Sequence, residues 1–303
     1  MKWERGSRED HFEDIRGQAP RARSRGGSAL KLGGGGAAVA ILVALVSQVL
    51  GVDVGGLFGG GAGGGQAGQA GQMQQGQPAP SGTPVNPATD PDNELRDFTK
   101  FVNNNVQETF DAMFRREGKT YRYAKLVVFT DVVDSGCGQT SSAVGPFYCP
   151  PDEKAYIDFS FYRDLKARFG APGDFAQAYV IAHEIGHHLQ NILGIDDKVR
   201  SMTRSDRSRE NEFSVMQELQ ADCFAGVWAH VASKAGLVEV GDPEEALNAA
   251  SQIGDDRLQK RAGVQVNKET WTHGSADQRV RWFRRGFDKG DLSVCDTFSS
   301  SAL

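Results

Sequence analysis

The 303-residue chain contains no Cys-x-x-Cys pair, and none of its four cysteines precedes Cys137. Without such pairs a thiolate-rich structural zinc site is excluded, and an even number of cysteines suits disulfides if this part of the chain is exported. A large excess of one charge is also missing. A net charge of −5 leaves no basic footprint, so no nucleic-acid partner is expected. The first ninety residues lack the regular apolar spacing of a folded unit and are too biased to contribute to a core. About 210 residues remain, enough for one enzyme-sized domain.

Charge disappears altogether from Leu32 to Val52, behind a stretch whose only charges are Arg16, Arg21, Arg23, Arg25 and Lys31. A run of this length suffices for one bilayer crossing of about 20 residues. With no small-x-small cleavage site after it, 32–52 reads as an uncleaved signal anchor and 1–31 as a basic cytoplasmic segment. Residues 53–91, rich in Gly, Gln and Pro, read as a flexible tether that cannot bury enough apolar surface to order. The domain at 92–303 is then expected outside the cytoplasmic membrane, held by a single span.

Histidine is scarce, yet three of the six fall within Ala182-His-Glu-Ile-Gly-His-His188. On a helix, residues four apart share a face, so His183 and His187 can offer two imidazole nitrogens to one metal ion. Glu184 follows the first histidine, where zinc hydrolases of this pattern carry the carboxylate that takes a proton from water. Asp174 suits the helix N-cap, and Gly194 suits the stop. His188 lies about 100° round the helix from His187, which suits a structural role.

Around that helix, Leu95, Phe98, Val102, Val106, Phe110 and Met113 predict a helix ending near Gly118. Lys125 to Val133 predicts a buried strand, and Gly145 to Tyr148 and Ala155 to Phe159 two shorter ones, confined to an edge or turn by Pro150 and Pro151. Further helices are predicted over Glu210 to Lys234, from Asp242-Pro243, and from the capping box Ser275-Ala-Asp-Gln278 to Phe287. A few strands followed by helices make an α+β domain. The cysteines are expected to pair as Cys137 with Cys149 and Cys223 with Cys295. The first pair would bracket a short loop, and the second would tie the 210–234 helix to the end of the chain.

Two histidines leave zinc short of a ligand. Glu218 and Asp222 stand four apart among Ala221, Phe224, Ala225 and Gly226, where a carboxylate is costly unless paired or bound to metal. Should Glu218 not serve, Glu210, Glu212 or Asp222 are next in line.

His183-Glu-Ile-Gly-His187 followed by Glu218-x-x-x-Asp222 resembles the gluzincin class of metallopeptidases, thermolysin among them. More closely, the chain resembles the neutral zinc metallopeptidases, a family of bacterial membrane-anchored proteins. It shares the basic start, the glycine-flanked apolar segment, Ser142-Ala-Val-Gly-Pro-Phe-Tyr-Cys-Pro150, the 182–190 and 218–226 motifs, and Thr272-His-Gly-Ser-Ala-Asp-Gln-Arg279. The resemblance implies a zincin-like domain with one zinc ion per chain. His183, His187 and Glu218 would be its ligands, and Asp222 would orient His183. It also implies that His273 stabilises the oxyanion, with Arg279 a second candidate on the same element. The expected activity is hydrolysis of peptide bonds in a peptide or protein substrate, with Glu184 as general base and Ala155 to Phe159 as the strand beside which the substrate adds. The rival reading is a non-catalytic envelope protein that binds a partner through a metal-binding domain of this kind.

Overall fold

The computed structural model describes residues 1–6, 9–18, 85–86 and 88–299. The expected anchor, 32–52, and most of the expected tether, 53–91, lie outside the described residues. Among the described residues, no helix is long and apolar enough to cross a membrane.

The apolar run after residue 125 folds as two strands, β2 (Lys125–Phe129) and β3 (Val132–Ser135), where one was expected. Asp131 breaks it by adopting a φ of 61°, and its N–H donates to Asp158 Oδ2 at 2.8 Å. Strand β3 turns back into β4 (Gly138–Ser141) as a separate hairpin. The main sheet has the order β1-β2-β6-β5, with β1 (Phe12–Asp14), β2 and β6 (Lys154–Asp158) parallel. Strand β5 (Phe147–Cys149) runs antiparallel to β6 and forms one edge, with β1 at the other. The two short strands were expected to share the edge or its turns, but only β5 does, since β6 pairs on both sides.

Helix α1 (Asn93–Arg116) buries Phe98, Val102, Val106 and Phe110 at four-residue steps, as its sequence predicts. It is followed by α2 (Ser160–Ala167), the motif helix α3 (Asp174–Ile192), α4 (Ile195–Ser205), α5 (Glu210–Lys234), α6 (Asp242–Gln252), α7 (Asp255–Arg261) and α8 (Ala276–Lys289). Helix α3 packs on β5 and β6 and crosses α5, whose other side packs against α8. Between them the 219–229 stretch of α5 is buried throughout, Phe224, Val227 and Trp228 included. Each contributes about 1.5–3 kcal/mol by leaving water. Glycine makes the second crossing possible, because a Cβ on Gly226 would stand 2.1 Å from the Phe283 carbonyl oxygen. The architecture is α+β, a small sheet followed by helices, and the disulfides are Cys137–Cys149 and Cys223–Cys295, the pairing expected.

Residues 1–18 correct the expectation that nothing before residue 90 joins the core. Strand β1 extends the sheet beside β2, Phe12 is buried, and Trp3 meets Phe98 edge to face at 5.6 Å. Arg16, also buried, donates to Asp14 Oδ2 at 2.7 Å and to Asp90 Oδ2 at 2.5 Å, so its charge is neutralised from both ends of the intervening chain. Buried Asn103 of α1 donates to the His11 carbonyl at 3.0 Å. Composition averages over windows, so it misses a three-residue strand and an arginine whose charge is paired at long range. Asp174 is also not the cap: Gly173 holds that position, and the Asp174 carboxylate accepts from the amino group of Met1 at 2.7 Å.

Candidate metal centre

Gly186 sits where α3 crosses α5, and a Cβ there would stand 3.0 Å from the Ala221 backbone. This close approach lays the His183/His187 face of α3 over the Glu218/Asp222 face of α5. His183 Nε2 lies 3.1 Å from Glu218 Oε2, and His187 Nε2 lies 3.2 Å from His183 Nε2 and 3.4 Å from Glu218 Oε1. Donors about 2.0–2.1 Å from a tetrahedral ion stand about 3.3–3.4 Å apart, so two imidazoles and a carboxylate at these separations could hold zinc with little movement.

The far nitrogens are fixed as well. His183 Nδ1 meets Asp222 Oδ1 at 2.9 Å, and His187 Nδ1 meets Gln190 Oε1 at 2.9 Å. Gln190 Nε2 donates to the Gln217 carbonyl at 2.7 Å, which turns its oxygen toward His187. Each Nδ1 therefore carries a proton, and each Nε2 is the nitrogen that faces the centre and can offer its lone pair to a metal ion once deprotonated. Asp222 is wholly buried and accepts from the Tyr179 hydroxyl and, at 2.8 and 2.9 Å, from Nε and Nη2 of buried Arg279. Burial pushes the Asp222 carboxyl up, but Arg279 and His183 outweigh it and hold it below the usual range. Arg279 thus acts behind Asp222 as its counter-ion. It was expected only as a companion of His273.

Glu184 is buried on the neighbouring stripe of α3. Desolvation raises its carboxyl, an effect that His187 and His183 only partly offset. Burial lowers the proton affinity of His187, but the charges of Glu218 and Glu184 and the bonds to Glu218 and Gln190 carry it to about 10. His273 lies close enough to Glu218 for that carboxylate to raise it against burial. Its Nδ1 stands 2.9 Å from Thr272 Oγ1 and 3.4 Å from Asp255 Oδ1. Asp255 holds the loop itself, its Oδ2 accepting the backbone N–H groups of Thr272, His273 and Gly274. The structure thus brings His183, Glu184, His187, Glu218, Asp222 and His273 together. Glu212 instead pairs with Arg209, and Asp222 stands behind His183, away from the three converging donors. Buried His188 faces away from the metal group and contacts the sheet.

Sequence reasoning passed over Tyr179, Gln190 and Asp255. The first two carried a signal, because Tyr179 lies four residues before His183 and Gln190 three after His187, each on its partner's helical face. Asp255 carried none, since only the fold brings it to the 272–274 loop. Among the described residues the other comparable acidic group, Asp174, Asp242 and Glu245, surrounds the amino group of Met1, which contacts Asp174 and Asp242.

No solved structure matches the chain. Among proteins of similar sequence, the uncharacterized protein YpfJ of Escherichia coli K12 is 43% identical over 303 residues, covering 99% of this chain and all of YpfJ. The uncharacterized protein Rv2575 of Mycobacterium tuberculosis H37Rv is 42% identical over 221 residues, covering 68% of this chain and 74% of Rv2575. Residues 1–298 match the family described as "Putative neutral zinc metallopeptidase", whose name implies a zinc ion and a hydrolase, and the chain belongs to that family.

Proposed function

We propose that the protein is a zinc-dependent peptidase in which His183, His187 and Glu218 hold one zinc ion per chain and Glu184 is the general base. The observation that carries this reading is the convergence of the three donors at zinc spacing with Glu184 beside them. Bound there, zinc supplies Lewis acidity toward a peptide carbonyl and acidifies a water. Glu184 accepts the proton of the attacking water and returns it to the leaving amine. Its carboxyl, raised above the usual carboxylate range by desolvation, holds a proton more readily than an exposed one, which suits both transfers. Asp222, charge-compensated by Arg279, keeps the His183 lone pair aimed at the ion, and Gln190 does the same for His187. His273, held through Asp255 and Thr272, supplies positive charge near the carbonyl oxygen.

An extended substrate needs an unpaired strand edge. Strand β6, the expected Ala155 to Phe159 strand, pairs with β2 and β5 and offers none, so the substrate strand adds beside β5, the edge strand that packs against the motif helix α3. The test is the zinc-loaded full chain digesting a random peptide library, with Glu184→Gln beside it. The variant should keep its zinc and lose about 10²–10⁴-fold in hydrolysis, because the amide preserves shape and removes the base. Undiminished turnover by Glu184→Gln would sink the mechanism. A fully zinc-loaded wild type that cuts nothing would return the domain to the partner-binding reading.

A further inference from the structure

The stripe of α3 that carries Glu184 continues through His188 and Asn191, at steps of four and three residues. Both of the later residues grip the hydroxyl of Tyr148, the middle residue of β5. His188 Nδ1 lies 2.9 Å from it, and Asn191 Nδ2 donates to it at 2.9 Å. His188 Nε2 lies 2.5 Å from the Arg122 carbonyl, which can only accept, so Nε2 carries the proton and Nδ1 accepts from Tyr148. Tyr148 alone of the three β5 residues turns toward α3. Phe147 stacks on Tyr156 on the other side of the sheet, and Cys149 packs there too, bonded to Cys137.

We infer that Tyr148, His188 and Asn191 form a strut that fixes the substrate edge relative to the metal centre and so aligns an extended peptide over Glu184. The inference rests on the peptidase reading above. A strand of three residues, backbone-paired on one side only, has little of its own to set its distance from a helix. The strut sets it through a fully buried imidazole anchored to the chain just ahead of β2. The grip lies four residues, about 6 Å along the axis, from Glu184. A substrate running along β5 therefore takes its register from the helix that carries the base. Tyr148, His188 and Asn191 are positioning residues; none is required to touch the scissile bond.

The experiment compares the zinc-loaded full chain with Tyr148→Phe, which keeps the ring and removes the hydroxyl. The probes are an octapeptide selected from the library and a blocked tripeptide spanning the same bond. The ratio of kcat/KM for the long over the short substrate should fall about tenfold, mainly through KM, as the loss of one alignment-setting hydrogen bond allows. Asn191→Leu, which spares the His188 contact, should move the ratio the same way by less. Zinc affinity, from chelator competition, should stay within about twofold, and amide exchange at 147–149 should quicken. An unchanged ratio, or an equal loss on both substrates, overturns the positioning role while leaving the peptidase reading intact. Absence of cleavage by the zinc-loaded wild type overturns the peptidase reading, and the positioning role with it.

Discussion

Glu218 and Asp222 stand one turn apart on α5 and divide the work around His183, so their losses should differ in kind. Glu218→Ala removes a donor from the converging trio. Asp222→Asn leaves the trio intact but weakens its orientation, and a loss of metal affinity of about 10–100-fold is expected. Competition with a chelator should therefore rank wild type above Asp222→Asn and Asp222→Asn above Glu218→Ala. Equal affinity for Glu218→Ala and wild type would mean that the third ligand lies elsewhere. Glu218 also governs the response to pH. Together with Glu184 and against the effect of burial, it raises metal-free His187 from 6.5 to about 10, so the stability its charge contributes is complete below pH 6.5 and is lost as pH rises toward 10. The metal-free protein should unfold at a lower temperature at pH 9 than at pH 7, and zinc uptake at pH 8 should release at least one proton. Calorimetry in buffers of different ionisation enthalpy measures that release, and none observed would count against His187 as a ligand.

At the scale of elements, the site depends on how closely its helices approach. Gly226→Ala would set a Cβ 2.1 Å from one α8 backbone atom and 2.8 Å from another, and neither can move without its helix. The α5–α8 crossing should widen at a cost of at least about 1–3 kcal/mol, loosening Arg279 from Asp222. A denaturant midpoint matching wild type would show the contact to be softer than it looks. The long helices and the His-Glu-x-x-His group were legible because their periodicity is local. Glu218 was legible for another reason, as a carboxylate set among small and apolar neighbours on a periodic helix. Strand order was not legible: β5 and β6 are both short, apolar and next to prolines, and only pairing with β2 makes β6 internal. Helices α2, α4 and α7 also went unread, because at two to three turns an apolar stripe is too short to stand out from its surroundings. Tyr148 looked like an ordinary strand aromatic because its partners lie some 40 residues away.

For the molecule as a whole, the two disulfides suit maturation in an oxidising compartment. The packing of β1 limits how such a compartment can be reached. Residues 12–14 share a sheet with 125–129, and Arg16 is ion-paired to Asp90. Residues 12–16 and Asp90 thus belong to the same folded body as the 125–129 strand. The expected anchor, 32–52, lies outside the described residues; what the sheet fixes is that residues 12–14 stand on the same side of any membrane as residues 125–129. Cysteines introduced as Arg5→Cys and Lys289→Cys should react alike with a membrane-impermeant reagent on intact cells, and opposite reactivity would mean that β1 is not seated there in the cell. Three residues of backbone pairing thereby become a constraint on topology: whichever side of a membrane holds His183 also holds Phe12.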